Sequence, residues 1–121
     1  MISLEELNPH NYILTDEQKA NQAILLVCIN KVRKAYGLPM SVTSGVRSMA
    51  DQMRINPSAP KSKHLIGAAV DIADKDAKLY AWCKANEKVL EDAGVYCEEG
   101  TKGWVHFQCI APRSGHRWFY P

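Results

Sequence analysis

The sequence has no Cys-x-x-Cys pair: its four cysteines, Cys28, Cys83, Cys97 and Cys109, are scattered, each inside an apolar segment. That spacing argues against a cysteine-built metal or redox motif, and the thiols are read as reduced core residues. No apolar stretch reaches the length of about 18 residues that a membrane-spanning helix requires, so no membrane insertion is expected. The opening MISLEELNPHNY is acidic where an export signal is basic, and it lacks an apolar central run. A protein made in the cytoplasm without its own export signal is the expectation. Excess charge is missing too: a formal net charge of +2 gives no reason to expect a nucleic-acid partner. There is no internal repeat and no low-complexity run.

What is present suits one compact domain over residues 1–121, with 46% hydrophobic and 23% charged residues. Thr15 stands three residues before Gln18 in a capping-box pattern. Ala20, Ala23, Ile24, Val27 and Cys28 follow at helical spacing, predicting a long helix with that stripe as its apolar face and Gly37 as its stop. MSVTSGV, residues 40–46, predicts a short strand that delivers Arg47 at its end. A short helix follows from Ser48 to about Ile55, and NPSAPKSK reads as a loop. GAAVDIAD predicts a strand. A second helix is expected from about Lys75 to Ala93, burying Leu79, Trp82, Cys83 and Leu90 and ending at Gly94. VYCEE, the turn GTKG and WVHFQCI predict a hairpin, followed by the tail APRSGHRWFYP. Clustered helices and strands indicate an α+β domain, its helices on one face of a small, mostly antiparallel sheet and the other face open.

Side chains alternate across a strand, so parity sorts the polar groups. Val105, Phe107 and Cys109 form one set in WVHFQCI, leaving Trp104, His106 and Gln108 on the other. Val70 and Ile72 set Asp71 on the polar side of its strand, and Val95 and Cys97 do the same for Tyr96 and Glu98. Asp71, Glu98 and His106 therefore share the open face, with His64 delivered from the loop before the strand. Two imidazoles and a carboxylate suit a catalytic zinc, which takes three protein ligands and leaves a fourth place for water. Calcium or magnesium would call for more oxygen donors. Gly67, Ala68 and Ala69 provide the small side chains such a turn needs. Each residue also has a plainer account: His106 as a hydrogen-bonded structural histidine, Asp71 as a turn cap or a partner of Lys75, and Glu98 and Glu99 as a solvated hairpin tip. On the residues alone, the two accounts stand level.

Ser62-x-His64-x-x-Gly67-x-Ala69-x-Asp71 matches the S-x-H-x-x-G-x-A-x-D signature of the zinc D-alanyl-D-alanine carboxypeptidase family. Trp104-Val105-His106 matches its W-x-H element, and Ser44-Gly45-Val46-Arg47 resembles its S-G-x-R element. That family includes the D-Ala-D-Ala dipeptidases, phage L-alanyl-D-glutamate endolysins and, as a structural relative, the hedgehog signalling domain. The whole chain looks like its small phage or prophage members.

The resemblance implies a zinc peptidase acting on peptidoglycan peptides. His64, Asp71 and His106 would be the metal ligands, and Arg47 the substrate-binding or transition-state arginine. Ser62 and Trp104 would border the substrate. One position departs from the pattern, because the place three residues before the last histidine, acidic in several members, is Gly103. Glu98 on the preceding strand is the expected general base instead, with Glu99 as the alternative if a bulge shifts the register. The rival readings are a zinc-stabilised binding module and a structural component of a virion. With no export signal expected, release to the cell wall would depend on a phage-type permeabilising protein. A monomer is expected, and His10 and His116 receive no role.

Overall fold

The structure is a computed structural model that describes residues 1–58 and 61–120. The loop expected at NPSAPKSK includes residues 59 and 60, which lie outside that range. In order, the elements are α1 (Leu4–Leu7), α2 (Asp16–Tyr36), β1 (Val42–Ser44) and α3 (Met49–Ile55). A 3-10 helix (Lys63–Ile66) leads into β2 (Ala69–Asp74), α4 (Lys78–Ala85) and α5 (Glu87–Ala93). β3 (Tyr96–Glu98), β4 (Gly103–Gln108) and β5 (Trp118–Phe119) complete the chain. The strands form one sheet in the order β1-β2-β4-β3-β5. All pairings are antiparallel except β3 with β5.

β2 and β4 are the centre of the sheet, paired over six residues each with Asp71 directly opposite His106. Val70 and Ile72 of β2, Val105 and Phe107 of β4, and Val95 and Cys97 at β3 are completely buried against the helices. The expected α+β architecture and the parity of its three main strands are therefore as the sequence indicated. All four cysteines are free, with Cys83 and Cys97 fully buried.

The long helix α2 begins where its capping box places it: the Thr15 side chain accepts from the Gln18 N–H and Gln18 reaches back to Thr15 N–H. Gly37 ends it in a left-handed conformation (φ 77°) that a Cβ would disfavour. Its buried face is not the expected one. Gln22, Leu25, Ile29 and Val32 pack inward, while Ile24 is 55% and Val27 57% exposed and Ala20 and Ala23 face solvent. The run from Ile24 to Ile29 is apolar at every position, so its composition allows two faces, and contact with the sheet and with α1 selects one. Gln22 is accepted there because its amide donates to the Leu7 carbonyl at 2.9 Å.

The helix expected over Lys75 to Ala93 is two. Asp74 collects the backbone N–H groups of Leu79 (2.8 Å) and Tyr80 (2.9 Å), so the chain turns before α4 begins at Lys78. A break at Asn86 then separates α4 from α5. Two further elements had no periodic signal, the single turn α1 and the two-residue strand β5.

Candidate metal centre

His64, Asp71 and His106 come from three separate elements, the 3-10 helix, β2 and β4, and their ligand atoms all lie within 4.8 Å of one another. Asp71 Oδ1 is 3.2 Å from His64 Nε2 and 3.0 Å from His106 Nδ1. All three residues are buried. His64 sits on a short 3-10 helix rather than in an irregular loop, and Ser62 starts that helix by accepting the His64 N–H at its hydroxyl (3.2 Å).

The outer nitrogen of each ring decides what the inner one can offer. His64 Nδ1 lies 2.7 Å from the Gly45 carbonyl, which can only accept, so Nδ1 carries the proton. His106 Nε2 lies 2.8 Å from Gln108 Oε1. The Gln108 amide group is oriented by its own donation to the Ile110 carbonyl at 2.8 Å, so His106 Nε2 must be the donor. Both inner nitrogens of the neutral rings therefore aim lone pairs at a carboxylate oxygen. Three acceptors facing one another need a cation between them. Ligands about 2.0–2.1 Å from a tetrahedral zinc stand roughly 3.3 Å apart, close to the two distances from Asp71 Oδ1 to the histidine nitrogens here. The donor set N, N, O and the outer-shell acceptors on both rings thus fit a divalent metal.

In the protein alone, protons on the ring nitrogens stand where that cation would. Burial works against a charged Asp71, yet hydrogen bonds from His106 and His64 in that protonated state hold its carboxyl far below the usual carboxylate range. Burial likewise pulls His106 down, and Asp71, with help from Gln108 and Glu98, more than reverses this and raises it. His64 stays low because burial dominates.

The segment from Ser44 to Arg47 braces this centre. Arg47 Nη2 meets Asp71 Oδ2 at 3.1 Å, leaving Oδ1 for the histidines, and the pair is only 10% exposed on each side. Its Nε donates to Ser44 Oγ (2.8 Å) and Nη1 to Gln52 Oε1 (2.9 Å). The Arg47 N–H also donates to the His64 carbonyl (3.1 Å). Gly45 has no room for a side chain, since a Cβ there would stand 2.1 Å from the Leu7 carbonyl oxygen.

The centre lies in an open cleft of about 680 Å³, bordered by Arg47, Ser62, Glu98 and Trp104. Glu98 is half-buried, and its carboxyl is raised chiefly by that burial, with Asp71 adding to the rise and His106 and Arg47 opposing it. Glu99 points elsewhere: Lys84 Nζ lies 2.6 Å from one of its oxygens, and the Tyr80 hydroxyl donates to the other at 3.1 Å. The structure therefore brings Glu98 into the cleft and leaves Glu99 out of it. Sequence reasoning missed Gln108 and Gln52 as braces. Gln108 shares the face of His106 two residues on, which was the available signal, whereas Gln52 gave none.

Comparison with known proteins gives this geometry its context. The sequence profile of the family described as Peptidase M15 matches residues 3–108. The chain belongs to the peptidase M15 family. It is accordingly a metallopeptidase, a member of a metal-dependent family of hydrolases. The chain is also similar to the crystal structure of the Serratia marcescens L-Ala D-Glu endopeptidase ChiX, with a TM-score of 0.54 and 26% identity, covering 86% of this chain and 95% of that one. Among curated protein sequences, none matches.

Proposed function

We propose that this M15 peptidase is a zinc enzyme that hydrolyses peptide bonds in peptidoglycan stem peptides, with the L-Ala–D-Glu bond its first candidate. The observation that carries the reading is the meeting of three lone pairs, from His64, Asp71 and His106, beside Glu98 in an open cleft. The bond preference is suggested by the similarity to the L-Ala D-Glu endopeptidase. A bacterial cell wall is the place of action that this substrate implies, and the sequence resemblance suggests a phage or prophage lysis enzyme.

His64 Nε2, Asp71 Oδ1 and His106 Nδ1 would hold the zinc ion, which would supply Lewis acidity toward water and a carbonyl oxygen. The remaining work falls to the protein. Glu98 takes the proton of the attacking water and returns it to the amine that leaves, a role favoured by a carboxyl raised toward neutrality. Positioned acid–base catalysis of this kind contributes about 10²- to 10⁴-fold. Arg47 holds Asp71 by its outer oxygen and borders the cleft, where its guanidinium can meet a substrate carboxylate or a developing oxyanion. Ser62 fixes the backbone of His64, and Trp104, 38% exposed, forms a wall for the peptide.

The test is incubation of the metal-loaded protein with purified muropeptides, followed by mass spectrometry of the products. New amino termini at D-Glu are expected. Intact muropeptides at every zinc loading would overturn the proposal.

A further inference from the structure

The span matched by the M15 profile ends at Gln108, yet the chain goes on to build a wall of the cleft. This tail is anchored along its length. A turn closes with Gly115 N–H donating to the Pro112 carbonyl (2.9 Å), presenting Arg113 and Ser114. Beyond it, Cys97 N–H donates to the Arg117 carbonyl (2.8 Å) and Glu99 N–H to the Phe119 carbonyl (2.7 Å), as β5 adds in parallel to β3. The Arg117 guanidinium donates to the Val95 carbonyl (2.8 Å) and lies 4.3 Å above the Tyr96 ring. Trp118 faces the helices, with Lys84 Nζ 3.8 Å from its ring centre. Phe119 faces the cleft, its ring edge-to-face with His106 at 6.0 Å. Pro112, Arg113, Phe119 and Tyr120 consequently stand in the same cleft as the metal centre.

Charge is distributed unevenly along that cleft. Its carboxylates are Asp71, which is taken by Arg47, and Glu98. Its cations besides Arg47 are Lys61, Lys63 and Arg113. Among the described residues, Arg113 has no carboxylate partner, although it is held on a closed turn. Its planar fork can grip a carboxylate through two parallel hydrogen bonds, which the point charge of a lysine cannot do.

We propose that the segment after β4 is the specificity-determining wall of this site, and that Arg113 binds a free carboxylate on the peptide substrate while Phe119 and Tyr120 pack against its backbone. The inference rests on the peptidase reading and adds to it the residue that selects for an anionic peptide. It places this selection in a part of the chain that the family profile does not reach.

The test uses two synthetic peptides, L-alanyl-γ-D-glutamyl-L-lysine amide with the glutamyl α-carboxylate as its only acid group, and the same peptide with that group also as the amide. Both are titrated calorimetrically into the zinc-loaded Glu98→Gln protein, in which turnover is slowed about 10²- to 10⁴-fold. The acid is expected to bind about two- to five-fold tighter than the amide, the upper part of the range for a solvent-facing ion pair with bidentate geometry. Adding Arg113→Gln, at an exposed position, should bring that ratio close to one with the bound zinc unchanged. A ratio that survives Arg113→Gln, a ratio lost in Lys61→Gln instead, or equal binding of the two peptides at the outset would overturn the inference. Turnover by the unmodified protein separates the two levels. Hydrolysis of both peptides with equal binding refutes carboxylate recognition alone, whereas the stated binding ratio without hydrolysis refutes the peptidase reading alone.

Discussion

Asp71 carries opposed demands on its two oxygens, one shared between two imidazoles and the other gripped by Arg47. Side chains around it divide into those that define the centre and those that act on substrate, and substitutions should separate them. Glu98→Gln keeps the shape of the cleft and touches no ligand atom, so bound zinc should stay near the original stoichiometry while kcat falls about 10²- to 10⁴-fold. Metal analysis alongside steady-state kinetics reads both quantities, and loss of zinc together with activity would count against Glu98 as the base. Gly45→Ala strikes the brace instead. A Cβ would overlap the Leu7 carbonyl oxygen, and the carbonyl of Gly45 is the group that orients His64. Overpacking of this kind costs about 1–3 kcal/mol. Denaturant unfolding should show that loss, with weakened zinc affinity accompanying it.

At the scale of elements, α2 offers the sharpest contrast between sequence and structure. Ile29→Ala removes a fully buried side chain and should cost about 2–5 kcal/mol, whereas Val27→Ala, on the exposed side, should stay within about 0.5 kcal/mol. Urea unfolding of the two variants decides between the observed face and the one expected from spacing. The strands were more legible than the helix because each has only two faces and only one is apolar: Val105 and Phe107 leave His106 a single direction. α2 has apolar side chains at six consecutive positions from Ile24 to Ile29, and contacts distant in sequence choose among its faces. Long-range contacts also explain what had no signal at all. β5 is held by its pairing with β3 and by Trp118 against Lys84, and nothing local in WF announces a strand. For the site, ligand types and parity brought out His64, Asp71, His106 and Glu98, while Gln52 and the tail residues entered only through the fold.

Across the whole molecule, the metal centre adds a further tie between two central strands already paired over six residues and the 3-10 helix beside them. Its three side chains come from residues 64, 71 and 106, so an ion held by them links the 3-10 helix to the two central strands. Binding only to the folded chain stabilises it by about 2.7 kcal/mol when free zinc is 100 times Kd. A chelator should therefore lower Tm, and added zinc should restore it, in a thermal scan of the unmodified protein. His106→Ala should show the lower Tm regardless of zinc. The most direct measurement is a crystal of the zinc-loaded protein with anomalous diffraction recorded on both sides of the zinc absorption edge. One anomalous peak is expected within bonding distance of His64 Nε2, Asp71 Oδ1 and His106 Nδ1. An absent peak at that point, or zinc held only by other residues, would contradict the account.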